Sequence, residues 1–179
     1  MIERIHERAS KTTLLAATVA TIFFSAIMML VLLPQLLVTS GGLLPLDMRF
    51  AYSPSGFYDL AEALGSEGIA LYHLFHVFDM GFPISLAVTL SSAIALINRE
   101  ILPPKNRPRK VVLIPFITAL FDYSENFLLW YQLDMYPLTS TTMLIATSLI
   151  SAAKMSLLMF SLVVVAGWIG LYILKREKA

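Results

Sequence analysis

Four apolar blocks dominate the chain, each at least as long as the ~20 residues an α-helix needs to cross a bilayer. They cover about residues 12–37, 69–97, 111–131 and 142–174. Little sequence is left between them, so the chain reads as one domain over residues 1–179: an all-α integral membrane protein. Its expected fold is a four-transmembrane-helix bundle with a short amphipathic helix in the outer loop between spans 1 and 2. Composition agrees. The chain is 58% hydrophobic and 14% charged, where soluble domains carry roughly 45–50% and about 25%. A net charge of +1 and no basic run interleaved with aromatics give no reason to expect nucleic acid as a partner. The absence of cysteine removes disulfides, thiol chemistry and thiolate metal sites. The first block is longer than the ~7–15-residue core of a signal peptide and is expected to be retained.

Basic residues set the orientation. Arg4, Arg8 and Lys11 precede the first span; Arg99, Lys105, Arg107, Arg109 and Lys110 lie between the second and third; Lys175, Arg176 and Lys178 close the chain. Eleven of thirteen Lys/Arg therefore fall on one side, and the other side holds only Arg49. The positive-inside rule puts both termini in the cytoplasm, and in a prokaryote the membrane is the plasma membrane. The basic inner loop is suited to anionic membrane lipid.

The outer loop, residues 38–68, contains the helix signals. Ser53 is placed to cap, Pro54 to fill the first position, and Gly65 to stop the helix. Phe57, Leu60, Ala61 and Leu64 share one face. This helix is expected to lie on the outer membrane surface or to lid the bundle. Just before it, Asp47 and Arg49 are close enough to pair locally, or Arg49 meets an anionic head group.

The spans are not uniformly apolar. In the third, Thr118, Asp122, Glu125 and Gln132 recur at intervals of 4, 3 and 7 and share a face, with Asn126 beside it. In the fourth, Thr147, Ser151, Lys154 and Ser161 repeat those intervals. In the second, His76, Asp79 and Pro83 align, with His73 one turn earlier and Tyr72 on the same side. Counting from the outer ends at ~1.5 Å per residue puts Asp79, Asp122, Glu125 and Lys154 within roughly two turns of one level.

A charge at the bilayer centre costs ~2.5–3.5 kcal/mol on insertion scales, so these groups are expected to face one another. Lys154 offsets one acid; the remaining excess calls for a balancing proton on a carboxylate or a histidine. Pro83 removes a backbone donor and is expected to kink the second span beside Asp79, where Gly81 permits close packing.

Two functions fit. In the first, the protein binds or transforms a small lipid-like molecule in a buried acidic pocket in the outer half of the bilayer. Asp122 and Glu125 are then the acid/base candidates, Lys154 their counter-charge, and His76 and Asp79 further members of the site. Tyr72, His73, Asn126, Ser151 and Arg49 are the candidate ligand-binding residues. In the second, the polar layer is a structural clasp in a non-enzymatic assembly subunit, whose partner is another protein or a second copy. Proton- or ion-coupled transport, a third class, usually needs more spans or an oligomer, and the chain shows no repeat. Metal-ligand residue types are present, but Lys154 supplies positive charge where a metal would, and neither a metal nor a cofactor is expected.

The native lack of cysteine gives a direct test of orientation. A membrane-impermeant maleimide on intact cells is expected to label Ser66→Cys at once. A cysteine appended after Ala179 should react only after permeabilisation. The reverse pattern would invert the topology.

Overall fold

A computed structural model describes residues 2–103 and 108–177; Lys105, Arg107 and Lys178 lie outside the described residues, as do the side chains of Arg4, Arg109 and Arg176. Every regular element among the described residues is helical. In order they are α1 (Ile2–Arg8), α2 (Lys11–Ile27), α3 (Leu33–Thr39), α4 (Pro54–Asp79), α5 (Phe82–Ile101), α6 (Ile114–Asp134) and α7 (Thr141–Glu177). Short 3₁₀ turns occupy Leu46–Met48 and Arg109–Leu113. Four stretches are long and apolar enough to cross a membrane: Lys11–Thr39, Pro54–Ile101, Lys110–Asp134 and Thr141–Lys175.

Two of these rods are irregular, and in each a proline accounts for one break in the helix. Between α2 and α3 the backbone widens into a π-turn over Met28–Leu32, where the Leu33 N–H reaches the Met28 carbonyl. Pro34 follows immediately. It cannot donate to the turn below and its ring crowds the carbonyl there, so the local widening relieves that conflict. In the second rod, α4 ends at Asp79 and α5 starts at Phe82 with Pro83 in its first turn. The break falls beside Asp79, as the position of Pro83 implies. Tyr123 of α6 donates a 2.7 Å hydrogen bond to the Met80 carbonyl at the break. Gly81 makes the bend sterically feasible, because a Cβ built there would come within 2.1 Å of the Phe24 ring.

The loop helix needs one correction. Ser53 caps as expected, its hydroxyl accepting from Gly56 N–H at 3.1 Å. Gly65, however, does not stop the helix. Its φ of +59° and ψ of −171° bend the chain, and the helix resumes at once toward Asp79. Residues 54–64 are thus the first arm of the second rod, and the connection is shortened to residues 40–53. A positive φ suits glycine, which has no Cβ penalty there. The apolar face of the arm is buried: Phe57, Leu60, Ala61 and Leu64 join Leu36, Leu46, Leu129, Leu133 and Leu144 in the main core. A smaller core of Ala9, Ile94, Ala95 and Val112 closes the other end.

The rods pack as α2 on α5, α5 on α6 and α7, and α6 along α7. Beyond Ser161 on α7, Val164 and Val165 still pack against the smaller core, while Leu162, Val163, Ile169, Leu171, Ile173 and Leu174 are exposed.

The bend predicts a specific steric dependence. Gly81→Ala is expected to lower stability by about 1–3 kcal/mol, the usual cost of overpacking, and Phe24→Leu in the same chain should recover part of it. Thermal unfolding in detergent reads both. An unaffected Gly81→Ala variant would mean that Phe24 has somewhere else to go.

Candidate functional site

The polar faces of α6 and α7 turn toward each other, as their matching spacing requires. Thr118, Glu125 and Gln132 on α6 and Thr147, Ser151, Lys154 and Ser161 on α7 are all buried. Gln132 donates to the Thr147 hydroxyl at 2.6 Å. At the centre the Lys154 ammonium lies 2.5 Å from Glu125 Oε2 and 3.4 Å from Asp122 Oδ1. Its third contact is the Asp47 carbonyl, at 2.8 Å. An ammonium has three donors, and here one carboxylate, a longer carboxylate contact and a backbone oxygen take them.

That third contact introduces the connection between the first two rods. Residues 46–53 lie across α7 as a plug, with Leu46 and Asp47 buried in the bundle and Phe50 exposed. Ser151 donates to the Arg49 carbonyl at 3.1 Å, and the Tyr52 N–H donates to the Ser148 hydroxyl at 2.9 Å. Tyr72 of α4 secures the start of the plug. Its hydroxyl accepts from the Leu46 N–H at 2.7 Å and donates to the Asp47 carboxylate. The Tyr52 phenol is buried within the same region. Burial, with the Glu125 carboxylate adding to it, pushes its pKa far above the usual value, so it stays neutral.

Beside the clasp lies a cavity of about 190 Å³. Its polar wall is Asp47, Asp79, Thr118, Asp122 and Lys154. Asp79 is 4% exposed and receives one hydrogen bond, from Asn126 Nδ2 at 2.6 Å. The rest of the lining is apolar. It draws Met28 and Met29 from the π-turn, Phe82 and Pro83 from the break, and continues to Leu90 on α5 and Pro115 on α6. Phe82 to Leu90 spans eight residues, so the apolar part extends roughly 12 Å along the bundle from the acids.

The sequence-derived site residues divide into three groups. Asp79, Asp122 and Lys154 line the cavity. Glu125 and Asn126 are fully buried behind it, holding Lys154 and Asp79; Ser151 and Tyr72 likewise serve the plug. His76, His73 and Arg49 stand apart from it. His76 is fully buried with neither ring nitrogen hydrogen-bonded, stacked on Tyr72 at 4.5 Å between ring centres. His73 stacks on Trp130 at 4.3 Å and approaches Asp134 at 3.5 Å. Arg49 does not pair with Asp47. Its guanidinium donates to the Leu44 carbonyl at 2.5 and 3.0 Å.

Sequence reasoning missed Asp47. It sits in an ordinary-looking connection, and its only advance signal was an acid flanked by apolar residues in "LLPLDMRF". Among the described residues no group of three or more histidine or carboxylate side chains could hold a metal ion. Comparison with protein-family models, curated proteins and solved structures gave no match.

The clasp makes a stability prediction. Lys154→Met leaves Glu125 buried without its partner and is expected to cost about 3–5 kcal/mol, as breaking a buried pair does. Adding Glu125→Leu removes the orphaned charge and should restore a large part. A double variant no more stable than Lys154→Met would show that the pair is not the main reason for the loss.

Proposed function

We propose that the protein is a multi-pass membrane protein that binds a small lipid-like molecule in the cavity between Asp79, Asp122 and Lys154. The four long apolar rods support the membrane assignment, and so do the exposed apolar side chains around them, among them Leu15, Val19, Ile22 and Phe23 on α2. With the termini on the cytoplasmic side, the cavity's acids lie in the outer half of the bilayer and the 54–64 arm covers the outer end of the bundle.

The observation that carries the reading is that the cavity is lined by acids at one end and hydrocarbon at the other. A bundle held only by a clasp has no use for such a space. Empty volume weakens packing, and carboxylates beside it lack partners. The amphiphilic lining matches a molecule with a polar head and an apolar body. Size limits that molecule. About 150 Å³ accommodates a benzene ring, and drug-sized pockets start near 300 Å³. A space of about 190 Å³ suits a head group with a short chain. Asp79 and Asp122, on opposite helices, are placed to exchange protons with such a head; Glu125 supports Lys154.

A second reading has its own observation. Lys154 joins α6, α7 and the plug directly, and the exposed apolar end of α7 is a surface for a partner helix or a second copy. In that reading the polar layer is a clasp and the protein an assembly subunit.

Filling the cavity separates the two. Ala119, at the wall, is 5% exposed. Native mass spectrometry of the wild-type protein, released from membranes in mild detergent, is expected to show a retained amphiphile. Ala119→Phe should lose about tenfold in occupancy, or about 1.4 kcal/mol, without a lower unfolding temperature; Ala87→Leu should act likewise. A wild-type protein with no adduct, or equal occupancy in all three, would favour the clasp alone.

A further inference from the structure

We infer that the head group taken by this cavity is an ammonium, so that the ligand class is a short-chain amine or the amine end of an amphiphile. The inference rests on the cavity reading above and adds the sign of the charge. Asp47, Asp79 and Asp122 line the space, and among the described residues Lys154 is the only basic side chain that does. Lys154 is already held by Glu125 at 2.5 Å. Counted as formal charges, the four acids leave an excess of three negatives around one lysine. Arg49 does not offset them, since its guanidinium is turned to the Leu44 carbonyl.

Asp79 is the most telling member. It is 4% exposed, one carboxylate oxygen takes the Asn126 amide, and no other hydrogen bond reaches the carboxylate from the described residues. A buried carboxylate with open lone pairs is costly unless a donor or a cation meets it. A donor or cation in the cavity is placed to meet it.

The remaining walls favour an organic cation over a metal ion. No three carboxylate or histidine side chains converge tightly enough to hold a metal among the described residues, so the negative charge is spread along the wall. Phe75 and Phe82, three or four residues either side of Asp79, line the same space. Aromatic faces attract ammonium groups, more strongly when the pair is desolvated. Met28, Met29, Met48 and Met155 complete the lining with flexible, polarisable thioethers that adapt to an irregular guest. Beyond them lies the apolar stretch to Leu90 and Pro115, which takes the alkyl part.

Protons could balance the acids instead, and binding separates the alternatives. Full-length protein in nanodiscs of zwitterionic phospholipid would be titrated calorimetrically with hexylamine, hexyltrimethylammonium, hexanol and hexanoate. Hexylamine is expected to bind at least about tenfold more tightly than hexanol, and hexanoate not at all. Asp79→Asn should collapse the amine-to-alcohol ratio toward one, and Asp122→Asn provides the same readout should the first variant fold poorly. Hexyltrimethylammonium binding as well as hexylamine would assign recognition to charge and aromatic faces. A preference for hexylamine would assign it to N–H donation to Asp79. Equal binding of amine and alcohol, or an amine preference surviving both variants, overturns the ammonium assignment while leaving a ligand cavity. No binding by any of the four overturns both.

Discussion

The buried ammonium of Lys154 is the constraint around which the rest of the bundle is arranged. A lysine placed among apolar helices has to find acceptors for three N–H groups and at least one counter-charge. Glu125 and Asp122 supply the charge from α6, and the Asp47 carbonyl supplies the remaining acceptor from the connection between the first two rods. Satisfying one side chain therefore fixes the register of α6 against α7 and draws residues 46–53 inward. Tyr72, Ser151 and Ser148 then hold those residues in place. The plug is polar backbone in an apolar setting, and such backbone persists only where protein groups meet it.

Two departures from straight helix geometry line the space beside that clasp. Met28 and Met29 of the π-turn, and Asp79, Phe82 and Pro83 flanking the break at Met80–Gly81, contribute to its walls. Each follows from a proline, and each is bridged: by a hydrogen bond that reaches back five residues in the first rod and by the Tyr123 phenol in the second. The outcome is a division of labour among acids that looked alike. Glu125 is fully buried against Lys154 and belongs to the clasp; Asp79, Asp122 and Asp47 face the cavity and belong to the candidate site. Clasp and pocket, which looked like rival explanations of one polar layer, occupy neighbouring volumes of the same layer.

Much of the site was legible because helical periodicity is rigid. Intervals of 4, 3 and 7 on α6 and α7 place side chains on one face whatever the fold, and the energy of burying charge requires those faces to meet. Depth counting then matched Lys154 to Asp122 and Glu125. The histidines were less legible. His73 and His76 share a side of α4 with Asp79, but their rings are taken up by stacking on Trp130 and Tyr72 and neither lines the cavity. Asp47 was not legible as a site residue, because its position depends on contacts with Tyr72 and Lys154, 25 and 107 residues away.

By itself, the sequence determined the four long apolar helices, the capped start at Ser53, the break near Pro83 and the facing of the polar stripes. These follow from local covalent geometry, from helix period and from the cost of exposing charge to hydrocarbon. Tertiary structure alone decided that Gly65 bends a helix rather than ends it, and that residues 46–53 enter the bundle. It also decided which acids border open space. The reason is physical: a glycine can terminate or redirect a helix at similar local cost, and a loop's path is set by distant partners. Whether a carboxylate meets a lysine or a cavity depends on how four rods with two irregular turns fill the volume between them.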